Sequence, residues 1–509
     1  MEIKRNLYFG LLIASFFYGC TSTRMVHQKS ADTEPYRPKY HFTPKAHWMN
    51  DPNGMVYLNG KYHLFFQYNP DSTIWGPMHW AHAISKDMIH WEEQPIALYP
   101  DSLGTIFSGS AVIDKDNTAG FGKNAMVAIF THHNKKIEDK KTGLHQYQSL
   151  AYSLDEGKTW TKYKGNPVLP NPGIWDFRDP KVMWHAATGK WIMTLATKDR
   201  ITFYSSPNLK KWTKESEFGE KLGAHGGVWE CPDLFPLELN GKTHWVLLVS
   251  INPGGPNGGS ATQYFTGNFN GKTFKPDSEK RKWMDYGTDN YAGVTFSNTG
   301  ARKVLMGWMN NWNYANVVPT KAWRGAMTIA RELSLENIGN DLYLRSIPVK
   351  EFAPLLKPVY NKTDLATAKE LDLSSYIKPL NGKFKLDLSL AGSEKVDIIL
   401  ENRNKEQLII GYDEKNNSYF IDRTNSGDAS FEKGFAKKHV APRISKSKNL
   451  KLSLILDAAS VEFFSDNGLS AMTDIFFPTT NWNTLKIRTS SGVKMTAVSV
   501  WAIGQKNVK

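Results

Sequence analysis

Short apolar runs alternating with polar positions, broken by Gly, Asn and Asp, fill the chain from about residue 40 to 344, and long helical periodicities are few. The clearest unit is VYLNGKYHLFFQY, residues 56–68. Two alternating stretches flank Asn59-Gly60, the signature of a type I′ hairpin, whose two turn residues both need positive φ. LELNGKTHWVLLVS repeats the device at Asn240-Gly241. At larger spacing, SKDMIHW from Ser85, SLDEGKTW from Ser153 and SPNLKKW from Ser206 each place a Ser, then Asp or Asn two residues on, then a closing Trp; FNGKTF from Phe269 is a weaker fourth copy. Separations of about 50 to 70 residues suit units of four short strands with loops, and self-similarity at that scale predicts a propeller. From Leu371 the texture changes. KFKLDLSLAG, KVDIILEN, EQLIIGYD, NLKLSLILD, SVEFFSD, LKIRTSS and MTAVSVWAIG read as strands at the turn spacing of a β-sandwich. The predicted chain is all-β: a propeller over 36–345, a proline-bearing linker over 346–369 and a sandwich over 370–505.

Composition sets limits on this picture. The 509 residues exceed what one hydrophobic core of about 250 to 300 residues accommodates. A formal charge of +14 is scattered and interrupted by Asp and Glu, without the basic stripe of a nucleic-acid footprint, and two cysteines, Cys20 and Cys231, rule out a disulfide framework. The 17 Trp and 21 Tyr supply flat apolar faces with a polar edge, suited to sugar rings as well as to cores.

At the N-terminus, Lys4 and Arg5 precede LYFGLLIASFFYG and then Cys20. That run is too short to cross a bilayer, which takes about 20 residues of helix, and it reads as a secretion leader over 1–20. FYGC resembles a bacterial lipobox, with Phe17 where an aliphatic residue is usual; the alternative is a plain signal peptide that discards Cys20. Export across a bacterial inner membrane, to the periplasm or as an outer-membrane lipoprotein, is the expectation. The sequence holds no metal-ligand spacing, phosphate-binding glycine loop or nucleophile elbow, and His132-His133 reads as a polar loop pair.

Three carboxylates stand in unusual settings: Asp51 in WMNDPNG, Asp179 in WDFRDP and Glu230 in VWECPDLF. Each is followed within two residues by proline and has bulky apolar neighbours, company that solvated carboxylates seldom keep; buried ones need partners. A propeller directs its inner strands at one axial funnel, where residues distant in sequence can meet.

WMNDPNG, FFQYNP, FSGSAV, FRDPKV and ECPDLF, in that order, resemble glycoside hydrolase family 32, the β-fructosidases that include invertases, inulinases and levanases. The stretch MGWMNNWNYANVVPTKAWRGAMTIARELSL is similar to the fructan-hydrolysing branch. The resemblance runs from about His41 to the C-terminus. It implies a five-bladed propeller with a C-terminal sandwich, Asp51 as nucleophile, Glu230 as general acid/base and Asp179 as transition-state stabiliser. Asn50, Gln67, Trp75, Phe107, Ser108, Arg178 and Trp312 match positions that line the sugar pocket, with Trp308 as the alternative to Trp312. The chemistry fits: a retaining enzyme uses one carboxylate to attack the anomeric carbon and another to protonate the leaving oxygen. Their environments must therefore separate the two pKa values. Asn50 and Asn53 beside Asp51 favour its ionised form, and Trp229, Cys231 and Pro232 give Glu230 the more apolar setting. Arg178 is expected to hold Asp179 charged, and Cys231 to be a packed neighbour of Glu230. Neither metal nor organic cofactor is needed. The expected partner is a levan- or inulin-type fructan or its oligosaccharides, cut from the chain end. A sucrose-preferring invertase, an endo-levanase and a non-catalytic fructan-binding surface protein remain alternatives.

Overall fold

The computed structural model describes residues 34–365, 369–490 and 493–504; the leader expected over 1–20, with Cys20, lies outside these residues. Residues from Tyr36 onward form one compact unit. Its first part is five sheets, the blades of a propeller, antiparallel except where Trp323–Arg324 pairs parallel with the first strand of blade I. In each blade the first strand is innermost: His47–Leu58 in blade I, Thr105–Asp114 in II, Phe177–His185 in III, Val228–Leu239 in IV and Tyr291–Thr295 in V. These five pack against one another in sequence, and the fifth returns to the first, closing the ring around an axis.

Each cleft between blades has its own apolar cluster, as period-2 strands with two buried faces require. Val56, Phe65 and Trp80 meet Ile106 and Phe130 between blades I and II. Val112 and Ile129 meet Phe177 and Met193 between II and III, and Ile192 and Phe203 meet Trp229 and Leu247 between III and IV. Phe235 and Val246 meet Leu305 and Leu333 between IV and V, and Trp48 and Leu64 meet Tyr291 and Trp308 where the ring closes.

The recurring Ser–Asp–Trp pattern is the turn between the third and fourth strands of a blade. In blade II, Ser153 Oγ donates to Asp155 (2.7 Å) and accepts from the Gly157 amide (2.8 Å). Asp155 accepts from the Thr159 amide (2.9 Å), and Trp160 Nε1 donates to the Gly157 carbonyl (3.1 Å). Trp91 and Trp212 cap their turns the same way, on the carbonyls of Met88 and Leu209. Three residues after each Ser, the chain takes positive φ: Met88 62°, Glu156 60° and Leu209 62°. Both Asn-Gly hairpins form with positive φ at each turn residue.

Two six-stranded antiparallel sheets make up the sandwich, packed around an apolar core that includes Phe384, Leu400, Ile410, Leu454, Phe463 and Trp482. The stretch 346–369 is a connection only in part. Its beginning completes the outer strand Asp341–Pro348 of blade V, a 3₁₀ turn spans Lys350–Leu355, and Leu356–Leu365 pairs with Lys494–Ile503 as a sandwich edge strand. Pro348, Pro354 and Pro358 suggested a linker, but Pro354 sits in the 3₁₀ turn and Pro348 and Pro358 lie on edge strands, where a missing N–H is tolerated.

Propeller and sandwich meet across a buried polar seam. Arg331 of blade V joins Asp285 (2.8 Å) to Glu462 of the sandwich, and His41 bridges Asp457 (2.8 Å) and Glu462 (2.9 Å). Arg423 meets Asp289 (2.7 Å), whose other oxygen accepts from Tyr314. Removing one partner from such a buried set costs about 3 to 5 kcal/mol. Burial alone would lower the His41 pKa, but its hydrogen bonds to Asp457 and Glu462 outweigh that and raise it to about 9. Burial works against the Glu462 carboxylate, and Arg331 and His41 prevail, taking it down to about 2. The stabilisation from His41 is therefore complete below its ordinary 6.5 and lost as pH rises through about 9. That from Glu462 is complete above its ordinary 4.5 and lost as pH falls toward about 2. The seam is strongest between these two ordinary values. Thermal unfolding followed from pH 6 to 9 is expected to show a falling midpoint in the parent protein. His41→Gln should lower the midpoint at pH 6 and flatten that fall; an equally steep fall in the variant would remove His41 as its cause.

Candidate active site

Every innermost strand slips register at the same end of the ring, and that of blade I slips a second time between Asn53 and Val56. At the shared end two residues oppose one: Asn50-Asp51, Phe107-Ser108, Asp179-Pro180, Cys231-Pro232 and Ala292-Gly293. These are β-bulges, which re-aim side chains and add local twist. Asp179, Cys231 and Ala292 reach them with φ of 63°, 43° and 54°, a region that costs non-glycine residues about 1 kcal/mol or more each. Pro180 and Pro232 follow because a bulge has no ladder amide to satisfy there.

Hydrogen bonds run from blade to blade at this level. Ser108 Oγ of blade II donates to Asp51 Oδ2 of blade I (2.7 Å), and the Asp179 amide of III donates to Thr131 Oγ1 of II (3.0 Å). The Cys231 amide of IV donates to Asp179 Oδ2 (3.0 Å), and Tyr291 of V donates to Glu230 Oε2 of IV. Within blade I, Trp48 Nε1 donates to Asn50 Oδ1 (2.7 Å), which turns the Asn50 amide toward Asp51 Oδ1 (3.0 Å).

The result is a cavity of about 690 Å³. All ten residues singled out in the sequence line it: Asn50, Asp51, Gln67, Trp75, Phe107, Ser108, Arg178, Asp179, Glu230 and Trp312. Gln67 sits across from the Asn50-Asp51 bulge and donates to the Ile106 carbonyl (3.0 Å). Trp308 is fully buried behind Trp312, their rings 4.9 Å apart, so Trp312 is the one that faces the cavity.

Three expectations need correcting. Glu230 does not have an apolar setting: its Oε1 accepts from Arg178 Nε (3.2 Å) and Nη2 (3.0 Å), and its Oε2 accepts from Tyr291. Trp229, which suggested otherwise, is buried in the cleft between blades III and IV. Nor does Arg178 chiefly hold Asp179. Its Nη1 is bound by Asp176 (2.5 Å) and it grips Glu230, while Asp179 is 3.9 Å away. His132 and His133 are not a loop pair either; they end the second strand of blade II, with His132 bonded to Ser149 (2.7 Å) and His133 on the cavity wall. Asp176, Tyr291, Trp48, His145 and Trp175 also shape the site. None carried a sequence signal, apart from Trp48 and the WDFR run lying inside motifs already noted.

The electrostatics are lopsided. Asp176, Asp179 and Glu230 surround the single guanidinium of Arg178, and Asp51 lines the same cavity. Burial, then the charge of Glu230, raises the Asp51 carboxyl against the opposing hydrogen bonds of Ser108, Asn50 and Cys231. Burial also raises Asp179, with Glu230 and Asp51 adding to it and Arg178 resisting, to about 7. Burial weakens the Arg178 charge, but Glu230, Asp179 and Asp176 more than restore it. The Cys231 thiol, in contact with Asp51 (3.4 Å) and Asp179 (3.6 Å), is driven well up by burial and by the carboxylates, which makes it a packed donor and a poor nucleophile. Groups coupled this closely titrate as a set. A charged, concave site with convergent carboxylates can attack, protonate and deprotonate.

The family profile described as Glycosyl hydrolases family 32 N-terminal domain matches residues 41–346, and that described as Glycosyl hydrolases family 32 C terminal matches 352–502. A levanase of Bacillus subtilis (strain 168) is 45% identical over 485 residues, covering 92% of this chain and 70% of its own. An extracellular exo-inulinase of Aspergillus awamori is 41% identical over 491 residues, covering 88% and 90%. A levanbiose-producing levanase of Bacillus subtilis (strain 168) is 36% identical over 465 residues, covering 88% and 87%. Among solved structures, exo-inulinase from Aspergillus awamori superposes with a TM-score of 0.84 at 38% identity, over 93% of this chain and 99% of that one. The β-fructofuranosidase from Schwanniomyces occidentalis complexed with fructosyl-erythritol superposes with a TM-score of 0.83 at 32% identity, over 92% and 98%.

Proposed function

The chain belongs to glycosyl hydrolase family 32, and from that premise we propose that it releases fructose from β-D-fructans of levan or inulin type, from the chain end, by double displacement with retention. The observation that carries this reading is the convergence of Asp51, Asp179 and Glu230 on one cavity.

Asp51 attacks the anomeric carbon of a terminal fructosyl unit, forming an ester as the glycosidic C–O bond breaks. Glu230 gives its proton to the departing oxygen. In the second step Glu230 takes a proton from water, whose oxygen bonds to the anomeric carbon while Asp51 leaves. Arg178 and Tyr291 hydrogen-bond the two oxygens of the Glu230 carboxyl and hold it in one place through both steps. Asn50 and Ser108 aim and hold the attacking carboxylate. Asp179 is the group that binds fructose hydroxyls, contributing to rate as far as those bonds tighten in the transition state.

Chain-end action is supported by the likeness to an extracellular exo-inulinase, and the likeness to a levanbiose-producing levanase is what argues for another product size. The leader, together with a relative described as extracellular, supports export, and the lipobox-like FYGC supports a lipid on Cys20.

Three outcomes are expected. Purified Asp51→Asn and Glu230→Gln fold like the parent and lose at least about a hundredfold in kcat on inulin and levan; parent-like turnover in either rejects the assignment. Chromatography of early digests gives fructose alone from levan and inulin. Levanbiose or longer products would establish another cutting mode, a preference for sucrose would make the enzyme an invertase, and tight fructan binding without sugar release would make it a lectin. In a bacterial host the parent fractionates with membranes, and Cys20→Ala, exported without a lipid, does not; equal partitioning of the two counts against the anchor.

A further inference from the structure

The cavity extends well beyond the surroundings of Asp51. One wall is an unbroken run of five aromatic rings. Trp75 meets Phe107 edge-on (centroids 6.1 Å apart, 74°), Phe107 lies flat on His133 (4.4 Å, 6°), His133 meets His145 edge-on (5.3 Å, 86°), and His145 packs against Trp175 (4.6 Å, 57°). All five line the cavity. The inner three are largely covered, whereas the two terminal indoles are 43% and 42% exposed, Trp75 and Trp175 respectively. Burial holds His145 below the ordinary imidazole range, so this part of the wall is uncharged near neutral pH.

The two ends of the wall belong to different halves of the reaction. Phe107 immediately precedes Ser108, which donates to Asp51, so the Trp75 end accompanies the attacking carboxylate. Trp175 immediately precedes Asp176, which anchors Arg178, and Arg178 grips Glu230. The Trp175 end therefore accompanies the group that protonates the departing oxygen, and whatever is attached to that oxygen lies on the same side. A cavity of about 690 Å³ is within the range of about 300 to 1,000 Å³ that encloses ligands of several rings. Beside Trp175's wall, the short helix Lys135–Glu138, capped by Asn134, brings the Lys135–Glu138 ion pair (3.0 Å) to the cavity lining, a donor and an acceptor for sugar hydroxyls.

We propose that Trp175, backed by His145, is the platform for the leaving-group side, stacking the sugar ring that follows the cleaved bond and so setting the preference for chains over simple fructosides. This rests on Glu230 being the proton donor. An indole offers its face to the C–H surface of a sugar ring at little cost in side-chain entropy, and the His145 contact fixes its tilt in advance.

The test compares two substrates that share the transferred fructosyl unit: inulotriose, whose leaving group is a disaccharide, and methyl β-D-fructofuranoside, whose leaving group is too small to reach Trp175. In Trp175→Ala the kcat/KM loss on inulotriose is expected to exceed the loss on the methyl fructoside by roughly tenfold, mainly through KM. Trp175→Phe, which keeps a ring, should lose less than Trp175→Ala on the trisaccharide. Equal losses on the two substrates, or none on inulotriose, overturn the platform. Asp51→Asn and Glu230→Gln run beside them on the methyl fructoside separate the two levels of inference. If those variants turn over like the parent, the mechanism fails; if they are inactive and Trp175→Ala shows no differential, the platform alone fails.

Discussion

Five β-bulges at one end of one ring are the constraint from which the site follows. A regular strand alternates its side chains, so consecutive residues point apart and no strand can offer two neighbours to the same space. At a bulge that alternation lapses, and blade I offers Asn50 and Asp51 together while blade II offers Phe107 and Ser108. The same slip in blades III and IV puts Asp179 and Cys231 into the left-handed region. There the Asp179 amide meets Thr131 and the Cys231 amide meets Asp179. Those bonds offset the backbone strain, and they also fix the blades to one another at the level where the carboxylates stand. The geometry of the site is thus a property of the closed ring; no single blade contains it.

This explains what could be read from the sequence and what could not. Asp51-Pro52, Asp179-Pro180 and Cys231-Pro232 were conspicuous because proline marks places where the ladder is interrupted, and the interruptions are the site. The Ser–Asp–Trp turns were visible because their hydrogen bonds are local, within about seven residues. The two Asn-Gly hairpins were visible for the same reason. Partners drawn from other blades were not. Tyr291 approaches Glu230 from blade V, and Asp176 rather than Asp179 takes the near end of Arg178, facts that depend on ring closure and rotamer. Local apolar neighbours misled for Glu230, since Trp229 is buried in the cleft between blades while the carboxylate faces the cavity. The connection over 346–369 misled through its prolines, which an edge strand accepts.

The molecule buries charge in two places under opposite rules. At the seam between propeller and sandwich each carboxylate has a close partner: Asp457 and Glu462 share His41, Glu462 and Asp285 share Arg331, and Asp289 meets Arg423, all without solvent. Balanced in this way, buried ions recover much of their desolvation cost and specify how the two sheet systems fit together. At the cavity, Asp51 has among the described residues only neutral donors, Asn50, Ser108 and Cys231, and one guanidinium serves the other three carboxylates.

That imbalance has a chemical meaning. A folded protein lowers the cost of surplus buried negative charge by taking up a proton, and groups that share one have titrations belonging to the set. A glycosidase of the retaining type needs such a set, with one member ionised to attack and another protonated to donate, exchanging those states halfway through the reaction. Burial and the charge of Glu230 raise the Asp51 carboxyl, and its neutral donors Asn50, Ser108 and Cys231 oppose that rise and aim the group at carbon. Glu230 instead is held by Arg178 on one oxygen and by Tyr291 on the other. The asymmetry between the two carboxylates lies less in how apolar their surroundings are than in which partner each is given, and the ring of bulges is what assigns those partners.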